Sequence, residues 1–166
     1  MPSQKVSASF TRPSDTTQYA VGDLVANSTT AGSVAMMSFR IKEGGIWLRR
    51  IEIKKSDPDI TSASFRLWLT TDSSVTFSNG DNGALAIGSS TLPIADVLCA
   101  LDVTIDKSLT GAGDIGYATF DEGLHALFAA SYANGIGTIY SFLEARGTYT
   151  PGSAEIFTVT ISGDPL

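Results

Sequence analysis

Hydrophobic and polar residues alternate with a period of two in three places along this chain, the pattern of a strand with one buried face and one wet face. In Arg50-Ile51-Glu52-Ile53-Lys54, the isoleucines fall on one side and the three charges on the other. Phe65-Arg66-Leu67-Trp68-Leu69-Thr70 repeats the pattern with Phe65, Leu67 and Leu69 inward, which puts Trp68 on the opposite face. Ile156 to Ile161 does so again, with Phe157, Val159 and Ile161 inward and the threonines outward, where β-branched side chains suit a pleated surface. Weaker extended segments run from Val6 to Thr11, Tyr19 to Ala26, Ser33 to Ile41, Gly116 to Phe120 and Thr138 to Ala145, for about eight strands in all. Turn-forming clusters separate them, among them Glu43-Gly44-Gly45, Ser56-Asp57-Pro58-Asp59, Asn79-Gly80-Asp81-Asn82-Gly83, Gly111-Ala112-Gly113-Asp114 and Tyr149-Thr150-Pro151-Gly152.

Many short strands without a βαβ rhythm predict an all-β fold: an antiparallel two-sheet sandwich of the jelly-roll type, with an immunoglobulin-like sandwich as the alternative. Two segments read as short helices in loops. Pro93 to Leu101 places Ile94, Val97, Leu98 and Leu101 at helical spacing, and Asp121 to Ala130 is a weaker second case flanked by glycine. No repeat or linker divides the chain, so residues 1–166 are expected to form one domain with a short N-terminal arm over about residues 1–5.

Charge narrows the function classes. Seventeen acidic against eleven basic residues give a formal charge of −6, the wrong sign for a phosphate-binding groove, so nucleic acid is not an expected partner. Charged residues are only 17% of the chain while Ser, Thr and Gly abound, which describes a surface of uncharged polar groups. Cys99 is solitary, so it closes no intramolecular disulfide and reads as a small buried hydrophobe. Met1-Pro2-Ser3-Gln4-Lys5 has no apolar leader core, and no stretch approaches the ~20 apolar residues of a membrane-spanning helix. Synthesis in a cytoplasm and no membrane partner are the expectations.

Catalytic chemistry is hard to assemble from these residues. His125 is the sole histidine, and Ser131 or Ser141 would have to serve as its nucleophile without the G-x-S-x-G turn that exposes such a serine. The carboxylate pairs Asp57/Asp59 and Asp121/Glu122 sit in turns, where acids are ordinarily solvated. Asn79 to Gly83 offers oxygens but lacks the ordered spacing and closing glutamate of a calcium loop, and no glycine cluster marks a phosphate cradle. The expectation is a protein that is not an enzyme and carries no metal or cofactor. Tyr19-x-x-Gly22-Asp23-Leu24-Val25 is similar to a stretch of some chitin-binding modules, yet Asn27 to Ala35 supplies no partnering aromatic. Trp68 could stack on sugar, lie in a protein interface or be covered by a loop, while Trp47, at a strand start, reads as a core residue.

Three blocks together resemble small tailed-phage virion proteins of the capsid decoration, or cement, type. They are SASFTRPSDTTQYAVGDLVANS with Val34 to Phe39; Ile51 to Lys54 with Phe65 to Leu69 and Asn79 to Ala84; and IYSFLEARGTYTPGSAEIFTVTI over residues 139–161. The resemblance implies a jelly roll on the capsid surface of a virion, made in the host bacterial cytoplasm and bound across junctions of the major capsid protein lattice. It implies two partners, the major capsid protein and further copies of this chain as a homodimer or homotrimer. The candidate contacts are the chain start, with Pro2, Ser3 and Gln4, the turn Asp15-Thr16-Thr17-Gln18, and Trp68. The runner-up is a carbohydrate- or receptor-binding β-sandwich module of a phage tail.

Overall fold

The inward stripes assemble into two antiparallel sheets in a computed structural model that describes residues 3–42, 45–58, 63–88, 97–108, 113–119, 125–128, 130–133 and 136–166, without the side chains of 117–119, 125–128 and 130–133. In chain order the strands are β1 (Gln4–Thr11), β2 (Leu24–Val25), β3 (Met37–Lys42), β4 (Gly45–Lys55), β5 (Ser64–Thr70), β6 (Val97–Thr104), β7 (Lys107–Ser108), β8 (Asp114–Thr119), β9 (His125–Phe128), β10 (Ala130–Ala133), β11 (Ile136–Ala145) and β12 (Ile156–Pro165). One sheet runs β1-β12-β4-β8-β7 and the other β10-β11-β5-β6, with β2 and β3 also paired to β11 and β9 to β4.

The eight longest strands are β1, β3, β4, β5, β6, β8, β11 and β12. They form the four-stranded layers β1-β12-β4-β8 and β3-β11-β5-β6, in which the first strand lies beside the last. That order, with the chain passing back and forth between layers, is a jelly roll rather than the ABED/CFG arrangement of an immunoglobulin sandwich. Its register is tight: Phe157 lies opposite Phe10 and Lys55, and Ile161 opposite Val6 and Ile51. All the inward residues read from the alternation are fully buried, namely Ile51, Ile53, Phe65, Leu67, Leu69, Phe157, Val159 and Ile161. Phe65 meets Phe157 edge to face at 5.2 Å, joining the two layers through the centre. Burial of each such side chain contributes about 1.5–3 kcal/mol.

Neither expected helix is found among the described residues. Residues 93–96 and 121–124 lie outside the described residues, but Val97 to Leu101 open β6, and His125–Phe128 and Ala130–Ala133 are strands. β6 pairs with β5 from Ser64 opposite Thr104 to Thr70 opposite Val97, and this long-range ladder overrides local spacing. At the margin of the sheet Val97, Leu98, Cys99 and Leu101 are all half-buried, so period two is blurred there into a pattern that imitates a helix. The sole helical turn among the described residues is a 3-10 segment, Ala31–Ser33. The expected N-terminal arm is already strand from Gln4, whose side chain clamps the neighbouring layer: its Nε2 donates to Lys42 O (3.2 Å) and its Oε1 accepts from Lys42 N (2.8 Å).

Residues 71–88 add a third layer. This strap leaves β5, crosses the outer face of β11 and β5, and packs Val75 and Phe77 against Phe142, with Leu24 and Ala26 completing a second apolar cluster. Phe77 meets Phe142 edge to face at 5.3 Å and Trp68 stacks on Phe142 at 6.1 Å. Backbone bonds from Leu24 N to Gly83 O (2.8 Å), Asn82 N to Leu24 O (2.9 Å) and Asp81 N to Ser28 O (2.7 Å) hold its far end. Gly80 sits so close there that a Cβ would lie 2.2 Å from the Thr29 carbonyl, which requires glycine.

Candidate interaction surface and the buried charges beneath it

The strap covers the outer face of β11 and β5 but leaves Ser38, Arg40 and Lys42 of β3 and Ala100, Asp102 and Thr104 of β6 exposed at that sheet's margins, whereas the outer face of β1, β12 and β4 carries no covering segment among the described residues. It is built from the polar halves of the alternation. Lys5, Ser7, Ser9 and Thr11 project from β1, facing Ser162, Thr160, Thr158 and Ile156 of β12, which in turn face Arg50, Glu52 and Lys54 of β4. Ser7 Oγ bonds Thr160 Oγ1 at 2.8 Å and Ser9 Oγ bonds Thr158 Oγ1 at 3.0 Å, so a hydroxyl ladder runs along β1 and β12 with the charges Arg50, Glu52 and Lys54 beside it on β4. Among the described residues of this sheet, two large apolar side chains stand out, Ile156 at 45% exposure and Trp47 at 43%. Trp47 is therefore not the core residue its position at a strand start had indicated. It lies opposite Asp164 in the register, and Asp164 pairs with Arg49 at 3.0 Å.

The turn 15–18 caps one end of this face. Thr16, Thr17 and Gln18 are exposed and Asp15 half-buried, yet the turn is pinned at every residue but Thr16. Asp15 Oδ1 accepts from Thr17 N (3.1 Å), Asp15 O from Arg12 Nη1 (3.3 Å) and Thr17 O from Asn82 Nδ2 (2.9 Å), while Gln18 Nε2 donates to Thr150 Oγ1 (3.3 Å). An exposed but preorganised loop loses little conformational freedom on docking, which favours binding.

One of its anchors, Arg12, belongs to a buried charge cluster. Each contributing strand ends its inward stripe on an ionisable residue: Val6-Ala8-Phe10 continues to Arg12, Ile51-Ile53 to Lys55, and Ile161-Val159-Phe157 back to Glu155, while Asp114 opens β8 opposite Lys55. Arg12 Nη2 meets Asp81 Oδ2 at 2.7 Å, both side chains wholly buried. Asp81 Oδ1 also accepts from Tyr19 OH (2.6 Å) and Ala26 N (2.7 Å), and Arg12 Nε donates to the Tyr19 hydroxyl. Tyr19 lies parallel to Tyr149 at 6.1 Å, and the Tyr149 hydroxyl donates to Glu155 Oε2. Lys55 Nζ reaches Asp114 Oδ2 at 3.0 Å, Glu155 Oε1 at 3.5 Å and Asp57 O at 2.8 Å.

Electrostatics follow from that dryness. Burial pushes the Tyr19 phenol far above its ordinary range, reinforced by Asp81, and burial does the same to Tyr149, reinforced by Glu155. Burial works against the Arg12 charge, but Tyr19 and Asp81 outweigh it and hold the guanidinium above its ordinary value.

Of the residues singled out in the sequence, Gln4 and the 15–18 turn stand at opposite ends of the hydroxyl face, Ser3 is exposed next to Gln4, and Pro2 lies outside the described residues. Trp68 is elsewhere, half-buried on the strap-covered sheet. Its Nε1 donates to Glu144 Oε2 (2.8 Å), Arg146 Nη1 bonds the other Glu144 oxygen (2.9 Å) and Arg66 lies 5.9 Å from the indole. Tyr19, the aromatic of the chitin-module likeness, is 1% exposed and has no face to offer a sugar. Ser141 is buried in the core and the Asn79–Gly83 loop spends its one carboxylate, Asp81, on Arg12 and Tyr19. The backbone of His125 lies in β9, its side chain beyond what is described, as are Asp59, Asp121 and Glu122. The cluster itself was legible in principle, because Arg12, Lys55 and Glu155 occupy the inward phase of their strands.

No family model matches the chain, and no curated protein does. Among solved structures, a chain from Desmodium yellow mottle tymovirus is similar at 15% identity and a TM-score of 0.27, over 99% of this chain and 89% of that one. A superposition of that quality leaves the strand order, not the overlay, as the description of this fold.

Proposed function

We propose that this chain is a structural protein of a virion and, within that class, a bacteriophage capsid decoration protein that binds across junctions of the major capsid protein lattice. The observation that carries the reading is the difference between the two sheets: the strap covers the middle of one, while the other keeps a hydroxyl ladder flanked by charged residues and bordered by a hydrogen-bonded turn. Jelly rolls serve viral capsids, lectins and cupins alike, so the fold contributes a class and the face contributes the role. The three sequence blocks that resemble decoration proteins supply the capsid as partner.

The size of the face bears on how it would act. Three strands about 4.8 Å apart and eight residues at about 3.4 Å each give a footprint of about 400 Å². A stable interface of standard size buries ~800 Å² per partner, so the face alone makes a weak contact. The turn 15–18 and the chain start extend it, and several copies or an oligomer raise the avidity without a stronger single contact. Binding to the assembled lattice and not to free subunits shifts the equilibrium toward the intact shell by mass action.

Particles produced without the gene, then challenged with heat, provide the test. The expected result is earlier rupture, restored by adding back the purified chain but not a variant carrying Ser9→Glu and Ile156→Glu whose circular dichroism and melting curve match those of the parent. Particles of unchanged heat stability with no copies on the head, or equal restoration by the variant, would overturn the reading.

A further inference from the structure

The charges at the loop end of the sandwich do not balance around the lysine. Lys55 Nζ is 3.0 Å from Asp114 and 3.5 Å from Glu155, and all three side chains are wholly buried. Arg12 brings no relief, since its guanidinium is committed to Asp81 and Tyr19. The other cations of this end are placed elsewhere: Lys54 has the outer phase of β4, exposed Lys107 pairs with Asp106 at 2.6 Å, and Arg146 pairs with Glu144 at 2.9 Å; the remaining ionisable groups are half-buried Asp57, which follows β4, Asp15, 3.7 Å from Arg12 Nη2, buried Asp23 and the two tyrosines. Residues 59–62 and 109–112 contain Asp59 but neither lysine nor arginine. One ammonium thus faces two dry carboxylates, and holding a proton is far less costly there than burying a second negative charge.

We propose that Glu155 carries a proton through the neutral range, and that this proton holds the loop end of the sandwich shut. Distance assigns it. Asp114 has the shorter contact and is the ion-pair partner of Lys55, whereas Glu155 Oε1 stands at the outer limit of hydrogen bonding and Oε2 meets a neutral hydroxyl, that of Tyr149. Burial pushes the Glu155 carboxyl above the ordinary glutamate range, with Tyr149 and Lys55 opposing it only in part. When the proton leaves, the new charge must draw in water or a cation. The Tyr149 contact, the Tyr19–Tyr149 stack and the turn above them then loosen together.

The linkage has a definite sign. A carboxyl with a raised folded value binds its proton more tightly in the native chain. Below the ordinary value of 4.5 both states hold the proton; above it the unfolded chain releases it first, and stability falls with rising pH until the native carboxyl ionises.

Carboxyl carbon NMR of glutamate-labelled protein reads this directly, because the chain has five glutamates. One resonance is expected to stay at its protonated position at neutral pH and to be missing from Glu155→Gln. Denaturation of the same pair should show the wild-type unfolding constant rising about tenfold per pH unit relative to the variant once the pH passes the ordinary glutamate value, until the native carboxyl ionises. No protonated glutamate at neutral pH, one that persists in the variant, or parallel pH profiles would each overturn the proposal. Should Glu155→Gln fail to fold, the through-bond assignment of the wild-type resonance decides.

Discussion

Replacing Asp81 by Asn isolates the charge of the pair that pins the strap. The amide keeps one oxygen in place for Ala26 N–H and the Tyr19 hydroxyl and removes only the anion, while presenting N–H hydrogens toward Arg12. Arg12 is left as a cation with no accessible surface, its remaining partners being Tyr19, the carbonyls of Asp15 and Gly152 at 3.3 and 3.5 Å, and the half-buried, longer-range Asp15 carboxylate at 3.7 Å. Removing one member of a buried pair costs about 3–5 kcal/mol because the other charge stays behind. At ~2–4 °C per kcal/mol for a domain of this size, the melting midpoint should fall by about 6–20 °C. A denaturant titration of Asp81→Asn, Arg12→Met and the double variant measures the coupling. The double variant should lose much less than the two singles together, since it strands no charge. Backbone amides of residues 75–88 should lose hydrogen-exchange protection first. A loss below about 1 kcal/mol in Asp81→Asn, or additive singles, would refute the view that this pair fastens the strap.

Three further outcomes follow from the same geometry. Gly113→Ala should destabilise by about 2–3 kcal/mol in a urea titration, because its φ of +91° disfavours a side chain and a Cβ would stand 2.0 Å from the Lys55 carbonyl oxygen. Phe77→Ala should cost about 3 kcal/mol or more while leaving hydrogen exchange of β4 and β12 unchanged under native conditions, since Phe77 belongs to the cluster under the strap and not to the main core. Burial pushes the Cys99 thiol up to about 12, so alkylation near neutral pH should run at least about a hundredfold slower than for a free thiol, and rate equality would contradict its placement.

The core was readable because one physical rule governs it. Ile51, Ile53, Phe157, Val159 and Ile161 alternate with polar residues whether or not the partner strand is known, so local pattern suffices. Residues 97–101 were unreadable for the complementary reason: they are strand because β5 offers them a ladder, and their own half-covered pattern fits a helix better. Trp47 fell outside the core because Ile46 and Leu48 on either side of it take the inward phase of β4, and its outer surface is shared with the Arg49–Asp164 pair. The candidate contacts divide likewise. The turn 15–18 was visible as a turn, but the partners that hold it, Arg12, Asn82 and Thr150, come from three other stretches of chain.

The charges closing the inward stripes also solve a problem that alternation leaves open. A slip of one residue between β1, β12 and β4 would turn every core side chain to the surface and is forbidden outright. A slip of two preserves inside and outside, and over stripes such as Val6-Ala8-Phe10 and Phe157-Val159-Ile161 hydrophobicity alone would barely resist it. Arg12, Lys55 and Glu155 make the difference: two residues one way draws an ion in among Phe65 and Phe157, and two the other way pulls Lys55 from Asp114. The cluster is thus a set of end stops that fixes strand alignment, and with it which hydroxyls lie side by side on the open face.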